Sequence, residues 1–157
     1  MIENITISEA ISSDHKELSS FFDHYNSLDI SRNRTDCYLS HNHTIVAKEG
    51  SKIVGIIQWC VKEDPNSGVV EFEEFYVLEE YRGKGIGSKI LDYSIQLVKD
   101  YFLKNKLILR NIYLFVSEDN TSARKLYETY GFKNLNSVGT LFSSTSIELF
   151  YCLSISN

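Results

Sequence analysis

The chain lacks most of what would mark a nucleic-acid, membrane or metal protein. Its 157 residues carry a formal net charge of −5 and no sequence-local cluster of Lys and Arg, so nothing is set out to neutralise a phosphate backbone, and no nucleic-acid partner is expected. The longest apolar run, Ile53 to Val61, is interrupted by Gly55 and Gln58. It falls far short of the roughly 20 residues that a membrane-spanning helix needs. Met1-Ile2-Glu3 does not read as a signal peptide, and no membrane partner is expected. Cysteine is scarce and odd in number: Cys37, Cys60 and Cys152 are scattered without metal-ligand spacing, which favours reduced thiols in a cytoplasm. Cys60 and Cys152 fall in apolar strands and read as buried, inert thiols rather than nucleophiles. The histidines His15, His24, His41 and His43 form no helical pair suited to zinc, and His41-x-His43 has no third ligand nearby. No metal is expected, and the histidines read as surface residues.

The length suits one domain, residues 1–157, with a substantial core and no repeat, linker or low-complexity break. Alternation in Ile5-Thr6-Ile7 predicts a first strand. Asp14, with Glu17 three residues on, predicts a capping box opening a helix to about Tyr25, with Leu18, Phe21 and Phe22 on its buried face. Asp29 to Ser40 is polar and reads as a short helix or a loop. Thr44 to Lys48 and Lys52 to Lys62 flank the turn Glu49-Gly50-Ser51 and predict a hairpin. The turn Asp64-Pro65-Asn66-Ser67-Gly68 then leads into a strand from Val69 to Leu78. From Gly85 to about Leu103 a broad apolar stripe predicts a helix lying against a sheet. A strand from Ile112 to Val116, a helix after Asn120, and strands near Lys133 to Val138 and Ser146 to Leu153 complete the order. The fold class expected is α/β (α+β): a mixed, mostly antiparallel sheet of six or seven strands flanked by about four helices. The bulky apolar run Ile147 to Leu153 reads as an exposed edge through which a homodimer could form.

The most telling stretch runs from Phe75, Tyr76 and Val77 through Glu79 to Arg82, Gly83, Lys84, Gly85, Ile86, Gly87 and Ser88. It joins an apolar strand to a glycine-rich helix start. Glycines let the backbone approach a ligand closely, and a helix's first turn offers unpaired N–H groups and the positive end of its dipole, so the segment is a phosphate cradle with Arg82 and Lys84 adding charge. It is not a P-loop, because Gly87-Ser88-Lys89 has no matching upstream glycine. Nor is it the dinucleotide fingerprint, since Ser88 stands where a third glycine is required. What remains is Arg82-x-x-Gly85-x-Gly87. Downstream, Asn120 to Phe132 places Ala123, Leu126, Tyr127 and Tyr130 at helical spacing, with Asn120 as N-cap and Gly131 as the C-terminal stop.

Taken together and in this order, the two blocks resemble the GNAT superfamily of N-acetyltransferases, closely from Val69 to Lys133 and by pattern elsewhere. The resemblance implies that acetyl-CoA is the co-substrate, its pyrophosphate held by the main chain of Arg82 to Ser88 and its pantetheine arm by Phe75, Tyr76 and Val77, with Asn120 and Ala123 also on the cofactor side. It implies a bulge in the strand and an amide at Val77 aimed at the thioester oxygen. By position, Tyr127 matches the tyrosine that protonates the leaving thiolate, beside the plainer reading of a tyrosine packed in its helix's apolar stripe.

Acetyl transfer needs a neutral amine, and deprotonating an alkylammonium of pKa about 10.4 at neutral pH costs roughly 4 kcal/mol. A carboxylate at the amine can take that proton. Glu71, Glu73 and Glu74 are the candidates. Strict alternation places Glu71 and Glu73 on one face with Phe75 and Val77, about 6 to 7 Å apart, where they would raise one another's pKa and jointly attract a cation; Glu74 faces the other way. Glu73 is the favoured base, a role the block also takes in polyamine-type acetyltransferases, with Glu71 and Glu74 on the substrate side. A solvated cluster of edge-strand charges is the bland alternative. Glu79 departs from the proline common in the family. Phe115 stands where acetylases of ribosomal protein N-termini carry a glutamate, which lowers that branch. The reading is transfer of an acetyl group to the primary amine of a small cationic substrate, polyamine- or aminoglycoside-like. The alternatives are acetylation of protein lysines or N-termini, and a non-catalytic CoA-sensing module.

Overall fold

A computed structural model describes residues 4–23, 35, 43–142 and 144–155. In chain order its elements are β1 (Ile5–Glu9), α1 (His15–Asp23), β2 (His43–Glu49), β3 (Lys52–Val61), β4 (Val69–Val77), α2 (Ile86–Lys104), β5 (Asn111–Ser117), α3 (Thr121–Thr129), β6 (Lys133–Gly139) and β7 (Glu148–Ser154). Seven strands follow the order β1-β2-β3-β4-β5-β7-β6. The β1–β2, β2–β3, β5–β7 and β6–β7 pairs are antiparallel and β4–β5 is parallel, the α+β class expected from the sequence. Within Asp29 to Ser40 only Thr35 is described, as helical and fully buried. The rest of that segment, and Tyr25, His24, Cys37 and His41, lie outside the described residues. The chain divides into two compact units, Met1–Cys60 with Glu74–Val98 and Val61–Glu73 with Lys99–Asn157.

In the first unit β3 is buried from Ile53 to Trp59 without interruption, the mark of a strand covered on both faces. Gly55 sits within that run. A Cβ there would stand 2.8 Å from Ile90 Cδ1 and 3.2 Å from the Tyr76 carbonyl oxygen, so the missing side chain is what lets α2 rest on the strand. Ile86, Ile90, Leu91, Ile95 and Val98 form its buried stripe. Each fully buried aliphatic side chain stabilises by about 1.5–3 kcal/mol. The start of α1 differs from the expected capping box. Ser12–Asp14 is a short 3-10 turn leading into the helix, and Asp14 accepts from the Ile11 amide at 3.0 Å and from Lys48 Nζ at 2.6 Å. Its partner is a lysine on β2 rather than Glu17. Burial alone would raise the Asp14 carboxyl, but the hydrogen bonds from Lys48 and Ile11 and the Lys48 charge outweigh it and hold the group below its usual value.

In the second unit β5 alternates strictly, with Ile112, Leu114 and Val116 buried and Tyr113 and Phe115 half-buried on the other face. Tyr127, Phe132, Tyr151 and Phe72 form its aromatic core, with Phe132 ring centres 5.8 Å from Tyr127 and 6.4 Å from Phe72. One expectation fails here. β7 pairs with β5 on one side and β6 on the other, so it is an interior strand, and its apolar residues reflect that burial rather than an exposed edge. Cys152 and, in the first unit, Cys60 are half-buried rather than buried, because each stands near a strand end. His15 is exposed as expected, whereas His43 is half-buried, stacked on Trp59 with ring centres 3.8 Å apart.

The turn before β4 is fastened by Asp64 Oδ1 accepting from the Asn66 amide at 2.7 Å and by Gly68 at φ +69°. A Cβ on Gly68 would lie 2.3 Å from the Ile108 carbonyl oxygen, whereas Gly50, at φ +60°, has open space. Gly50→Ala should therefore cost only the left-handed backbone penalty of about 1–2 kcal/mol, and Gly68→Ala at least about 1 kcal/mol more for the backbone clash. Urea unfolding of both variants checks this, and equal losses would remove the clash from the account. A second expectation concerns acid. Since the folded Asp14 carboxyl titrates below its unfolded value, its stabilisation is complete above about pH 4 and is lost as pH falls further. Urea midpoints from pH 6 to pH 3 should decline less steeply in Asp14→Asn than in the parent.

Candidate active site

The glycine-rich segment lies within the first unit, and its geometry follows from how β4 ends. Glu74 has φ +46°, a left-handed kink that interrupts the strand's alternation, so the expectation that Glu71 and Glu73 share a face with Phe75 and Val77 does not carry past it. After the kink, Tyr76 packs edge-on against Phe21 at 5.9 Å. The peptide group between Val77 and Leu78 is pinned on both sides: its N–H donates to the Val54 carbonyl at 2.9 Å, and its carbonyl accepts from Arg82 Nε at 2.9 Å. Arg82 also lies over the Tyr76 ring, 5.0 Å from its centre.

A 3-10 turn, Glu79–Tyr81, carries the chain from β4 to the loop. The Tyr81 hydroxyl donates to Glu49 at 2.5 Å, and this hydrogen bond raises the phenol's pKa. Lys84 Nζ donates to the Glu80 carbonyl at 2.6 Å. Gly83 and Gly85 are left-handed, φ +71° and +78°, and a Cβ on either would meet no atom within 4 Å. Glycine is thus required by backbone conformation and not by crowding. Arg82 to Gly85 are exposed, Ile86 is buried beneath them, and Gly87 and Ser88 are half-buried in the first turn of the 19-residue α2. The amides that open the helix precede its first i−4 bond, from the Lys89 N–H to the Gly85 carbonyl at 3.1 Å. Two cations held by main-chain oxygens beside a helix start suit an anion such as a diphosphate.

The second unit holds the candidates Glu71, Glu73 and Tyr127, and Glu74 belongs to the first. Lys62 Nζ lies 2.5 Å from Glu71 Oε2 and 3.1 Å from Glu73 Oε1, and the Tyr113 hydroxyl donates to Glu71 Oε2 at 3.1 Å. The pair does attract a cation, and this chain supplies one itself. Sequence reasoning missed Lys62. The signal was present in the turn, since the Lys62 amide donates to the Val69 carbonyl at 2.9 Å and so sets Lys62 beside the strand bearing the glutamates. Asn120 caps α3 as expected, with Oδ1 accepting from the Ala123 amide at 3.2 Å. Tyr127 is buried, and that burial pushes its phenol well above the usual value, so it stays protonated throughout the neutral range. Neighbouring Tyr151 donates to Glu128 at 2.8 Å and accepts from Arg124 Nε at 3.3 Å.

Comparison with known proteins identifies the family. Residues 9–132 match the model of the Acetyltransferase (GNAT) family. The chain belongs to this family. Over 71 residues it is 35% identical to a spermine/spermidine N(1)-acetyltransferase of Bacillus subtilis (strain 168), a stretch covering 45% of this chain and 43% of that protein. The match therefore spans less than half the length of that curated relative. A Salmonella typhimurium protein solved with its cofactor acetyl-CoA superposes with a TM-score of 0.77 at 17% identity, covering 99% of this chain and 96% of that one. An aminoglycoside 6'-N-acetyltransferase complexed with coenzyme A gives 0.77 at 15% identity over 97% and 98% of the two chains. At these identities the GNAT fold is what the two structures share with it.

The loop geometry generates a direct expectation. Gly85→Asp adds both left-handed strain and a negative charge at the head of α2, and should reduce the coenzyme A melting shift to near zero, whereas Gly50→Ala, equally left-handed but away from the loop, should keep it. Differential scanning fluorimetry with and without coenzyme A reads both.

Proposed function

We propose that this GNAT domain, taken as one unit of residues 1–157, is an acetyl-CoA-dependent N-acetyltransferase acting on the primary amine of a small cationic acceptor, polyamine- or aminoglycoside-like. The observation that carries the reading is the left-handed Gly83–Gly85 loop running into the start of α2. The Bacillus relative, a spermine/spermidine acetyltransferase, and the aminoglycoside acetyltransferase that shares the fold support the acceptor class. Cys60 and Cys152, neither of them in a disulfide, go with a reducing, cytoplasmic setting.

Acetyl-CoA supplies the acetyl group already activated as a thioester. The chain's part is to hold and to move protons. The main-chain amides of Gly83 to Ser88, with Arg82 and Lys84, hold the diphosphate; Phe75, Tyr76 and Val77 hold the pantetheine arm by backbone hydrogen bonds; Asn120 and Ala123 bound the cofactor at the head of α3. The Val77 N–H donates toward the oxygen on which negative charge develops. Glu73 takes the proton from the acceptor ammonium, and Glu71 and Glu74 contribute negative potential to the acceptor side. Tyr127 holds its proton through the neutral range and gives it to the departing thiolate, a role for which a phenol kept protonated by burial is suited.

Two measurements test the reading. A ligand that binds only the native state at a hundred times its dissociation constant stabilises by about 2.7 kcal/mol, which for a chain of this size is a melting shift of several degrees; coenzyme A should produce it. Thiol release against a panel of amines should then show turnover, and a melting shift without thiol release from any amine would leave a sensor rather than an enzyme. Tyr127→Phe should lower kcat by about 10²-fold or more while coenzyme A affinity changes by less than about threefold. Equal losses in both would remove the acid role.

A further inference from the structure

We infer that Lys62 is a specificity-determining residue, a tethered ammonium that occupies the acidic pair Glu71–Glu73 and sets how strongly an acceptor of higher charge is bound. The inference rests on the proposed acceptor side of β4.

Three observations carry it. The Lys62 ammonium reaches both carboxylates, at 2.5 and 3.1 Å, so one positive charge faces two negative ones and the group retains a net charge of about −1. Glu71 is held from a second direction by the Tyr113 hydroxyl, and its side chain is only 13% exposed, which fixes the pair in place. The Lys62 side chain is 35% exposed, on a flexible four-carbon stem, so it can swing out when another cation enters. An acceptor ammonium approaching Glu73 therefore either displaces Lys62 or binds beside a like charge. In both cases the attraction that two carboxylates would exert on a polycation is halved at its source.

The groove that adjoins this cluster is consistent with an organic acceptor. It is open, has a volume of about 530 Å³ and is lined mainly by Val69, Tyr113, Phe115, Leu135 and Phe150, with Asn111, Cys152 and Ser154 completing the wall, and the Phe115 and Phe150 ring centres are 5.5 Å apart. Tyr113 belongs both to this wall and, through its hydroxyl, to the acidic pair. A hydrocarbon chain lying on the wall brings its amine toward Glu71 and Lys62 first.

Removing a unit charge a few ångströms from a bound cation at a protein surface changes affinity by about tenfold. The test uses calorimetric titration of the coenzyme A-loaded protein at low salt with 1,5-diaminopentane and 1-aminopentane, together with KM and kcat for each amine. In Lys62→Gln the diamine should bind about tenfold tighter and its KM fall correspondingly, with a smaller change for the monoamine, while Lys62→Arg keeps the parent pattern. A diamine affinity in Lys62→Gln no higher than in the parent, or an equal gain in Lys62→Arg, overturns the role of Lys62 alone. If neither amine binds the parent or either variant while coenzyme A still shifts melting, the acceptor-side reading falls and the inference with it. If coenzyme A itself produces no shift, the cofactor reading has failed instead.

Discussion

Helix α2 packs closely on β3 because residue 55 has no side chain. At that point Ile90 Cδ1, the Tyr76 carbonyl oxygen and the Val77 side chain come within 2.8 to 3.3 Å of where a Cβ would be, closer than ordinary contact. Any larger residue would push α2 outward or force the end of β4 aside. With the glycine in place, Ile86 and Ile90 seat the helix, Val54 holds the last peptide of β4 from one side, and Arg82 holds it from the other. The loop between them then has little freedom in where it presents its amides. A close-packed interior is what gives a flexible glycine loop a defined orientation.

Much of this could be read from residue order. The α2 stripe and the alternation of β5 report one-dimensional periods, and burial follows them; Asn120 and Gly131 mark the ends of α3 because capping is a local matter of side chain to amide and of left-handed backbone. What could not be read depended on pairing between distant segments. Asp14 looks like a cap for Glu17 until β2 brings Lys48 to it. The apolar residues of β7 look like an edge until β6 is found on its far side. The glutamates of β4 look like a bare anionic pair until the turn at Asp64–Gly68 returns the chain and lays Lys62 across them. Glu74 is the hardest case, since a left-handed glutamate within a strand has no compositional signal, and alternation simply runs through it.

The two proton-handling candidates are prepared by opposite means. Tyr127 is set by the removal of water, its ring enclosed by Phe132 and Tyr151; desolvation disfavours the phenolate and keeps the proton on oxygen. Glu73 remains nearly a third exposed, with the Lys62 ammonium 3.1 Å from its carboxylate. A buried phenol and a wet, ion-paired carboxylate thus stand in unlike surroundings within one small domain.

Strand β6 closes the far margin of the sheet, and its ladder to β7 slips twice, between Asn134 and Asn136 and again between Ser137 and Gly139. Such irregularities twist a margin away from the straight, evenly spaced donors and acceptors that a second strand would need. This rim, exposed along its whole length, is therefore a poor template for runaway strand addition.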